Sequence, residues 1–445
     1  PFRGTSAVYH QTWPTAQPAV GVLSYDAGSG TFSHRPANSN EVSIFNAATG
    51  RIYALRDFRS GHEAQFAYDA NGLPQSLTDS WSGVSWIVTM EPGQRRISTI
   101  SVNGFVWTYV YDGSGNLITV TAPGSAPWRT YEYAADRMTA SRDALGNLIE
   151  SHTYDANGYG ISSTGPSDEI ASIVYLPGAT ADERLTRITD TNNSVSEHTM
   201  RVVGGAWRLV RSDGGCASCG SGDATYARDD RGRVVREQGA DGYITATTYA
   251  NDVVVSVQES LKPFGCDPQT DPQRCRLDPD ALAAATLEST SSSVTTTYEY
   301  ADPLWPDRPT KILRPSVVSP AYVRDERRLY NAATGALTRN EHRARQGDVL
   351  YIRATVWTFY EGAATAPVFD PGGVFQSSWL SLPQPINLIK TVDGPRTDVQ
   401  DMTSYVYYPI DSSVPALLRS HLAAMKNAAG HITRYEDYDV SGNAT

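Results

Sequence analysis

The chain has 445 residues, of which 37 are Lys or Arg and 48 are Asp or Glu, so its formal net charge is −11. This acidic balance argues against nucleic acid or an anionic membrane as a partner. Hydrophobic residues make up 40% of the chain and Tyr outnumbers Phe by 25 to 10, which predicts a fold without one large core. No apolar run approaches the roughly 18 residues of a membrane span.

A short motif that ends in glycine recurs along the chain. It begins as Phe45-Asn-Ala-Ala-Thr-Gly50 and continues as Tyr68-Asp69-Ala-Asn-Gly72. Aromatic residues or their replacements at positions 45, 68, 90, 111, 133, 154 and 175 recur with a period of about 21–22 residues, which indicates a repeat protein. Later copies are Tyr111-Asp112 with Gly115, Tyr154-Asp155 with Gly158, Tyr330 with Gly335, and Tyr438-Asp439 with Gly442.

The motif is typical of a tight turn at the end of a β-strand. Glycine supplies the positive φ that the turn requires, and an Asp or Asn after the aromatic residue bonds backbone N–H groups two residues on. The segments after the glycine, such as residues 116–121, alternate apolar and polar side chains as half-buried strands do. A turn about every 8 to 12 residues predicts an all-β fold of antiparallel hairpins. We expect the motif tyrosines to be structural and to stack as a ladder along the sheet.

The repeats organise most of the chain, so we interpret it as one array with an insertion rather than as three globular domains. The expected segments are irregular or partial repeats (1–44), the main array of Tyr-Asp repeats (45–212), a Cys- and Gly-rich turn (213–225), a further repeat (226–255), a Cys- and Pro-rich insertion with a short helix (256–297), and degenerate repeats ending in an open repeat (298–445).

Few segments carry helical signals. Asp278 as a cap, Pro279 at the first position and a run of Ala predict a short helix within 278–287. Residues 415–427 have helix propensity, but the residues that follow fit the second half of a repeat, so we expect a strand from about Leu422 onward. The stretch 361–400 is rich in Pro and Gly, which predicts a long loop or an irregular repeat.

Four cysteines lie outside the regular repeat. Cys216 and Cys219 form a C-x2-C pair in the Gly-rich turn, whereas Cys266 and Cys275 flank a Pro- and Asp-rich segment. In an oxidising compartment these residues favour two disulfides, with Cys266–Cys275 fastening the insertion. Zinc binding and free thiols are the alternatives. The wide spacing of the second pair and the lack of a nearby His argue against zinc.

The sequence contains none of the short motifs that mark common catalytic or nucleotide-binding sites. G-x-S-x-G, H-E-x-x-H, the P-loop and G-x-G-x-x-G are all missing. The eight His residues are scattered without i, i+4 pairing. We therefore expect no enzyme activity, no catalytic residues, no metal site and no cofactor.

The order Tyr-Asp-x-x-Gly, strand, Asp-x-x-Gly, Tyr-x-Tyr-Asp resembles the RHS/YD-repeat family, most clearly over residues 111–158. This family includes bacterial polymorphic toxins, toxin-complex shells, wall-associated proteins and teneurins. The resemblance implies a long sheet of hairpins coiled into a β-spiral, which in the family often closes into a shell around cargo. Recognisable copies cover most of 45–178, then 226–255, 298–340 and 405–445.

The resemblance also implies a function. It favours a structural, non-catalytic scaffold of a secreted or cell-surface bacterial protein, shaped as a β-spiral shell or stalk. The expected partners are other segments or copies of the same protein, an enclosed toxin cargo or a cell-surface ligand; nucleic acid and a membrane span are not expected.

Two other functions remain open from the sequence. One is a subunit or segment of an extracellular filament, assembled head to tail by strand complementation. It is suggested by a sequence that stops just after the turn at Tyr438-Asp439, which leaves an open strand edge. The other is a carbohydrate-binding adhesin, whose nine Trp and many Tyr would stack on sugars.

Overall fold

The alternation of strand and turn in the sequence leads to an almost wholly β structure. A computed structural model describes residues 21–36, 39–124, 127–167, 170–214, 222–315, 323–346, 349–362, 366–439 and 442–444. Cys216, Cys219 and the first 20 residues of the predicted partial repeats lie outside these ranges.

Thirty-one strands and two short helices follow one another along the described chain. The first strands are β1 Val22–Asp26, β2 Thr31–Arg35, β3 Glu41–Asn46, β4 Ile52–Asp57, β5 Glu63–Tyr68, β6 Pro74–Asp79, β7 Ser85–Met90, β8 Ile97–Val102, β9 Phe105–Tyr111, β10 Leu117–Thr121, β11 Pro127–Ala134, β12 Arg137–Asp143, β13 Leu148–Tyr154, β14 Gly160–Thr164, β15 Ile170–Pro177 and β16 Glu183–Thr189. The others are β17 Val195–Val203, β18 Ala206–Asp213, β19 Ala224–Arg228, β20 Val234–Gly239, β21 Ile244–Ala250, β22 Val253–Pro263, β23 Leu287–Glu299, β24 Lys311–Pro315, β25 Val323–Tyr330, β26 Leu337–Gln346, β27 Val349–Phe359, β28 Ile389–Asp393, β29 Thr403–Tyr407, β30 Leu422–Lys426 and β31 Ile432–Arg434. Helix α1 is Pro279–Ala284, and a 3₁₀ helix spans Ser377–Ser381.

Each strand pairs antiparallel with the strand that follows it, so a single sheet of hairpins runs through the described residues. In the first hairpin, for example, Asp26 lies opposite Thr31. In the last pair, Lys426 lies opposite Ile432. This arrangement confirms the predicted all-antiparallel β fold.

The repeat period corresponds to two strands. Every second strand in the array ends at or beside an anchor residue, as β5 does at Tyr68, β7 at Met90, β9 at Tyr111 and β13 at Tyr154. The pairing register shifts immediately before Tyr68, Met90 and Tyr154. A bulge bends its strand and increases the local twist. A bulge that recurs with the repeat therefore favours a sheet that coils.

Contacts between residues far apart in sequence show that the sheet coils back on itself. The loop between β23 and β24 brings Asp307 to the early strand β2, where Arg35 pairs with it at 3.5 Å. Farther along, Arg419 Nη1 donates to the carbonyl oxygen of Ser82 at 2.8 Å. The two contacts join residues separated by 272 and 337 positions. Successive turns of the coil therefore meet at these points.

Apolar side chains are buried in small, separate clusters rather than in one core. The chain exposes 25421 Å², whereas a compact protein of its 48.3 kDa mass exposes about 16500 Å². This large surface agrees with the expectation from composition. The clusters are Val42, Ile44 and Ala54 on β3 and β4; Ala227, Ile244, Leu261 and Leu282 where α1 meets the sheet; and Phe375, Trp379, Val406, Tyr408, Val414 and Ala423 near the last strands.

The C-terminal region departs most from the repeat. Between β27 and β28, turns and the 3₁₀ helix place Phe375 and Trp379 against Tyr408 on the following part of the sheet. Residues 415–421 form turns, and β30 begins at Leu422. The strand expected from Leu422 onward is thereby confirmed, because pairing with β29 overrides the helix propensity of this segment.

Candidate functional site

The glycine-ended turn is the polar feature that recurs from repeat to repeat. Asp69 Oδ1 accepts the backbone N–H groups of Asn71 and Leu73 at 2.9 and 2.8 Å. Gly72, with φ of 74°, donates its N–H to the carbonyl of Asp69 at 2.9 Å. Only the first Asp69 bond was expected from the sequence, and the second fastens the turn to the next strand. The same pair of side-chain bonds is made by Asp112, Asp143, Asp155, Asp190 and Asp229, and Asp439 makes the second of them.

The longer form of the motif closes its turn with Asn instead of Asp. Asn46 Oδ1 accepts the N–H groups of Ala48 and Thr49 at 3.1 and 2.9 Å. Gly50 then donates to the carbonyl of Asn46 at 2.8 Å. Asn331 repeats this arrangement before Gly335. Both forms therefore satisfy the N–H groups of the turn with one side-chain oxygen.

The motif tyrosines tie adjacent strands together through their hydroxyl groups. Tyr68 donates to the carbonyl oxygen of Ile52 at 2.8 Å. The acceptor is the first residue of the preceding strand, beyond the last pair of the ladder. Each bond therefore closes the open end of a hairpin. Tyr111, Tyr154, Tyr330 and Tyr438 donate to carbonyl oxygens at or near the start of a preceding strand, those of Ile97, Met138, Pro309 and Leu422, at 2.9, 2.7, 2.9 and 2.7 Å.

Arginine side chains lie on the motif tyrosines, in place of the expected stacking of tyrosine on tyrosine. Consecutive motif tyrosines are two strands apart, or about 9.5 Å, which is too far for their rings to stack. The guanidinium carbon of Arg51 instead lies 5.7 Å from the ring centroid of Tyr68. This is within the range of a cation–π contact. Arg96, Arg137 and Arg308 lie over Tyr111, Tyr154 and Tyr330 at 5.0, 6.0 and 5.8 Å. Arg233 lies in the same way over Tyr249, at 4.4 Å; Tyr249 lacks the motif glycine, but its hydroxyl donates to Val234 at 3.2 Å.

These arginines were missed by the sequence reasoning. The signal that could have found most of them is an arginine at a similar offset before each tyrosine, as with Arg51 and Tyr68 or Arg96 and Tyr111. The motif glycine makes room for the guanidinium group. A Cβ atom at Gly72 would overlap the Arg51 side chain, whereas Gly61, at nearly the same φ, has no atom within 4 Å of that position.

The pKa shifts of the motif Asp and Tyr side chains favour the charge states that their hydrogen bonds require. The side chain and backbone of Asn116 lower the pKa of the Asp112 carboxyl group, and Asn147 is the first cause of the lowered pKa of Asp143. Burial raises the pKa of Tyr111. At neutral pH the turn therefore holds a carboxylate, which only accepts, and a neutral hydroxyl group, which donates.

The insertion is fastened to the sheet by a disulfide and two polar side chains. Cys266 and Cys275 are joined, with their Cα atoms 5.6 Å apart, which leaves neither thiolate for zinc. Gln238 Nε2 donates to the carbonyl of Cys275 at 2.9 Å. Arg276 pairs with Asp213 at 3.0 Å. The insertion thus contacts two neighbouring parts of the repeat array.

We refer to the contact between the early strands and the loop after β23 as the coil joint; it consists of Arg35, Asn40, Phe58, Trp305, Asp307 and Arg308. Trp305 is 4% exposed and lies edge-on to Phe58, with ring centroids 5.4 Å apart. The guanidinium groups of Arg35 and Arg308 lie 5.3 and 4.6 Å from the Trp305 centroid. Arg308 also donates to Asn40 Oδ1 at 2.9 Å.

Neither a metal-binding cluster nor a membrane-spanning helix occurs in the part of the chain that the structure describes. No group of three or more His, Cys, Asp and Glu side chains there is arranged to hold a metal ion. No helix among the same residues is long and apolar enough to cross a membrane.

Comparison with known proteins matches residues 111–148 to the family model of the RHS repeat. No curated protein is matched by the chain. A crystal structure of TcdB2-TccC3 aligns with 93% of this chain and 25% of its own, at 13% identity and a TM-score of 0.34. A crystal structure of TcdB2-TccC3 without its hypervariable C-terminal region aligns with 89% of this chain and 24% of its own, at 12% identity and a TM-score of 0.33. The chain spans about a quarter of the length of these structures.

The matched segment begins at Tyr111 and contains the turns closed by Asp112 and Asp143. The hydroxyl bond and the arginine contact of Tyr111 recur outside the matched segment, at Tyr68 and Tyr154. The geometry of the matched repeat is thus the geometry of its neighbours. Residues 111–148 thus resemble the RHS repeat, and the repeats on both sides of them share its turn, hydroxyl and arginine contacts.

Proposed function

We propose that the chain is a non-catalytic scaffold that forms the curved wall of a shell or stalk in a secreted or cell-surface bacterial protein. The observation that carries the proposal is the coil joint, where Arg35 and Asp307 meet at 3.5 Å across 272 residues of sequence. A sheet that returns to itself over this distance encloses space along its path. This is the geometry that a wall requires.

The energetics of the repeat fit a wall better than a globular domain. Each hairpin is held by its backbone ladder, its Asp-closed turn and its Tyr hydroxyl bond, so each repeat depends mainly on its neighbours. Such an array lengthens by adding repeats and needs no central core. In the RHS/YD-repeat family the resemblance implies an enclosed polypeptide cargo, and we extend that role to this chain.

The disulfide between Cys266 and Cys275 supports the proposed location. Disulfides persist in oxidising environments such as the periplasm, the cell surface and the extracellular medium, and they are rare in the cytosol. The insertion that this bond fastens carries α1, whose Leu282 is fully buried in one of the three apolar clusters. The stability of the insertion would therefore depend on an oxidising compartment.

Small-angle X-ray scattering of the purified chain tests the wall geometry. A compact protein of 445 residues has a radius of gyration of about 22 Å. The curved wall predicts a clearly larger radius of gyration, and a radius equal to that of a compact protein would contradict it. Negative-stain microscopy of native material tests the assembly: capsules or short rods support the proposal, whereas long filaments of uniform width would favour head-to-tail assembly instead.

A further inference from the structure

Strand β27 carries exposed apolar side chains at an open edge of the sheet. On one side, β26 pairs with β27 along nearly its whole length. On the other side, β28 pairs with it only from Val356 onward. Within the described ranges of the chain, residues 349–355 therefore have a strand on one side only. The exposed residues are Val349, Leu350, Tyr351 and Ile352, which are 55, 43, 52 and 41% exposed.

This edge has little of the usual protection against pairing with another chain. The loop that follows β28 forms no ladder with it and brings Asp398 near Arg353; a hydrogen bond from Arg396 and the charge of Arg353 lower the pKa of the Asp398 carboxyl group. An open edge presents unpaired N–H and C=O groups, and proteins normally shield it with charges, proline or a bulge. The first charge along β27 is Arg353, no proline occurs in the strand, and its pairing with β26 shows no register shift. Apolar side chains alternate to both faces of the strand, a pattern that favours strand addition.

We propose that residues 349–355 pair with the same residues of a second copy of the chain, in antiparallel register about a two-fold axis at Ile352. This register places Tyr351 opposite Arg353 of the other copy, which repeats the arginine–tyrosine contact of the motif. On the other face, Leu350 lies opposite Ala354, and Ile352 lies opposite its own copy. Each of these cross-strand pairs is apolar or cation–π.

The charge of Arg353 selects this register over the neighbouring one. A two-fold axis at Arg353 would set two guanidinium groups directly opposite each other, which is unfavourable. A two-fold interface uses the same patch on both subunits, so it closes and yields a dimer rather than a filament. This pairing is therefore distinct from head-to-tail assembly through the ends of the array.

Analytical ultracentrifugation of the 445-residue chain tests the dimer. We expect a concentration-dependent dimer in the wild type, and Ile352→Lys should raise its dissociation constant at least about tenfold because like charges then face each other. Ile87→Lys is the matched control: Ile87 is 45% exposed, but it is paired with Ser76 on one side and with Ser101 on the other. A wild type that stays monomeric, or an Ile352→Lys dimer as tight as the control, would overturn the proposal.

Cysteine cross-linking tests the register without requiring a charged variant to fold. Directly opposite residues of antiparallel strands have Cβ atoms about 5 Å apart, so Ile352→Cys should form a disulfide-linked dimer on a non-reducing gel. Ile87→Cys and Thr355→Cys should not, since Ile87 is paired on both sides within the sheet and Thr355 lies opposite Val349 of the other copy. Equal cross-linking of all three variants would overturn the register. Scattering from the monomeric Ile352→Lys variant would still report the wall geometry, so this inference and the proposed function fail independently.

Discussion

The guanidinium carbon of Arg96 lies 5.0 Å from the ring centroid of Tyr111, and the Tyr111 hydroxyl donates to the carbonyl of the next residue, Ile97. The dipeptide Arg96-Ile97 thus contacts the Tyr111 side chain twice: Arg96 packs on the face of the ring, and Ile97 accepts the hydrogen bond from its hydroxyl group. A Cβ atom at Gly115 would lie 2.7 Å from Arg96 Nη1. The lack of a side chain at the motif glycine therefore leaves room for the arginine. The same order of arginine followed by acceptor occurs at Arg51-Ile52, Arg137-Met138 and Arg233-Val234.

The hydroxyl bond of the motif tyrosine should contribute measurably to local stability. Tyr111→Phe removes the donor to Ile97 and leaves the ring under Arg96. We expect the opening free energy of the β8–β9 amides, measured by hydrogen exchange, to fall by about 1 kcal/mol. Tyr53→Phe, at an exposed ring, should change the opening free energy of its strand by less than about 0.5 kcal/mol. Equal effects of the two substitutions would contradict this role.

The motif glycine should be required for more than its backbone angle. Gly72 and Gly61 have φ values of 74° and 73°, but only a side chain at Gly72 would displace Arg51 from Tyr68. Alanine costs about 1–2 kcal/mol at either position through its left-handed backbone. Gly72→Ala should cost about 0.5–1 kcal/mol more, the value of an exposed cation–π contact.

A double-mutant cycle isolates the arginine contribution at Gly72. In an Arg51→Ala background, Gly72→Ala and Gly61→Ala should become equally destabilising, as judged by hydrogen exchange of the neighbouring strands. If the excess cost of Gly72→Ala persists without the Arg51 side chain, the packing explanation is wrong.

The local chemistry of the turn could be predicted from the sequence, but the arginine contacts could not. Asp69 and Gly72 act within a single turn, where composition and offset suffice. Arg96 precedes β8 and Tyr111 ends β9, so the two become neighbours only after the register of that hairpin is set. The coil joint is even harder to predict from local sequence. The contact between Arg35 and Asp307 depends on the twist that accumulates over many successive strands.

The turn after β6 should give the protein a specific acid sensitivity. Burial raises the pKa of Asp79, but hydrogen bonds from His62 and Ser82 outweigh it and lower the pKa to about 2. Because this lies below the unfolded value of about 3.9, the contribution to stability is present above about pH 4 and is lost as the pH falls toward 2. Asp79→Asn should reduce that loss by roughly 1 kcal/mol, after allowance for solvent screening.

Urea unfolding at pH 6, 4 and 2 measures this effect. Asp79→Asn should be less stable than the wild type at pH 6, and the two curves should converge toward pH 2. Asp437→Asn removes a carboxylate from an exposed site and is the control; it should change the free energy of unfolding at pH 6 by less than about 0.5 kcal/mol. Parallel pH curves for the wild type and Asp79→Asn would show that the His62–Asp79 contact does not contribute.

Loss of the Cys266–Cys275 disulfide should destabilise the insertion without unfolding the repeat array. The disulfide closes a short loop between Cys266 and Cys275, and a loop of this length is stabilised by about 2–3 kcal/mol. The paired substitution Cys266→Ser and Cys275→Ser should therefore lower hydrogen-exchange protection in α1 and around Gln238, which bonds the loop. Strands β5–β10 should be unchanged. Protection of α1 equal to that of the oxidised wild type would refute this expectation.

Breaking the coil joint should open the coil while its hairpins stay folded. Trp305 is 4% exposed and holds Phe58, Arg35 and Arg308 around its ring. Trp305→Ala removes a buried aromatic side chain, which typically costs about 3–5 kcal/mol of stability. This loss should weaken the contact between coil turns and leave the hydrogen bonds between strands intact. We expect a larger radius of gyration in solution scattering and an unchanged far-ultraviolet circular dichroism spectrum.

Trp128→Ala is the control for Trp305→Ala, because Trp128 is 53% exposed on strand β11, which is paired on both sides. If Trp305→Ala scatters like the control, the ends of the coil are held together by other contacts, and the coil joint does not set the curvature of the wall.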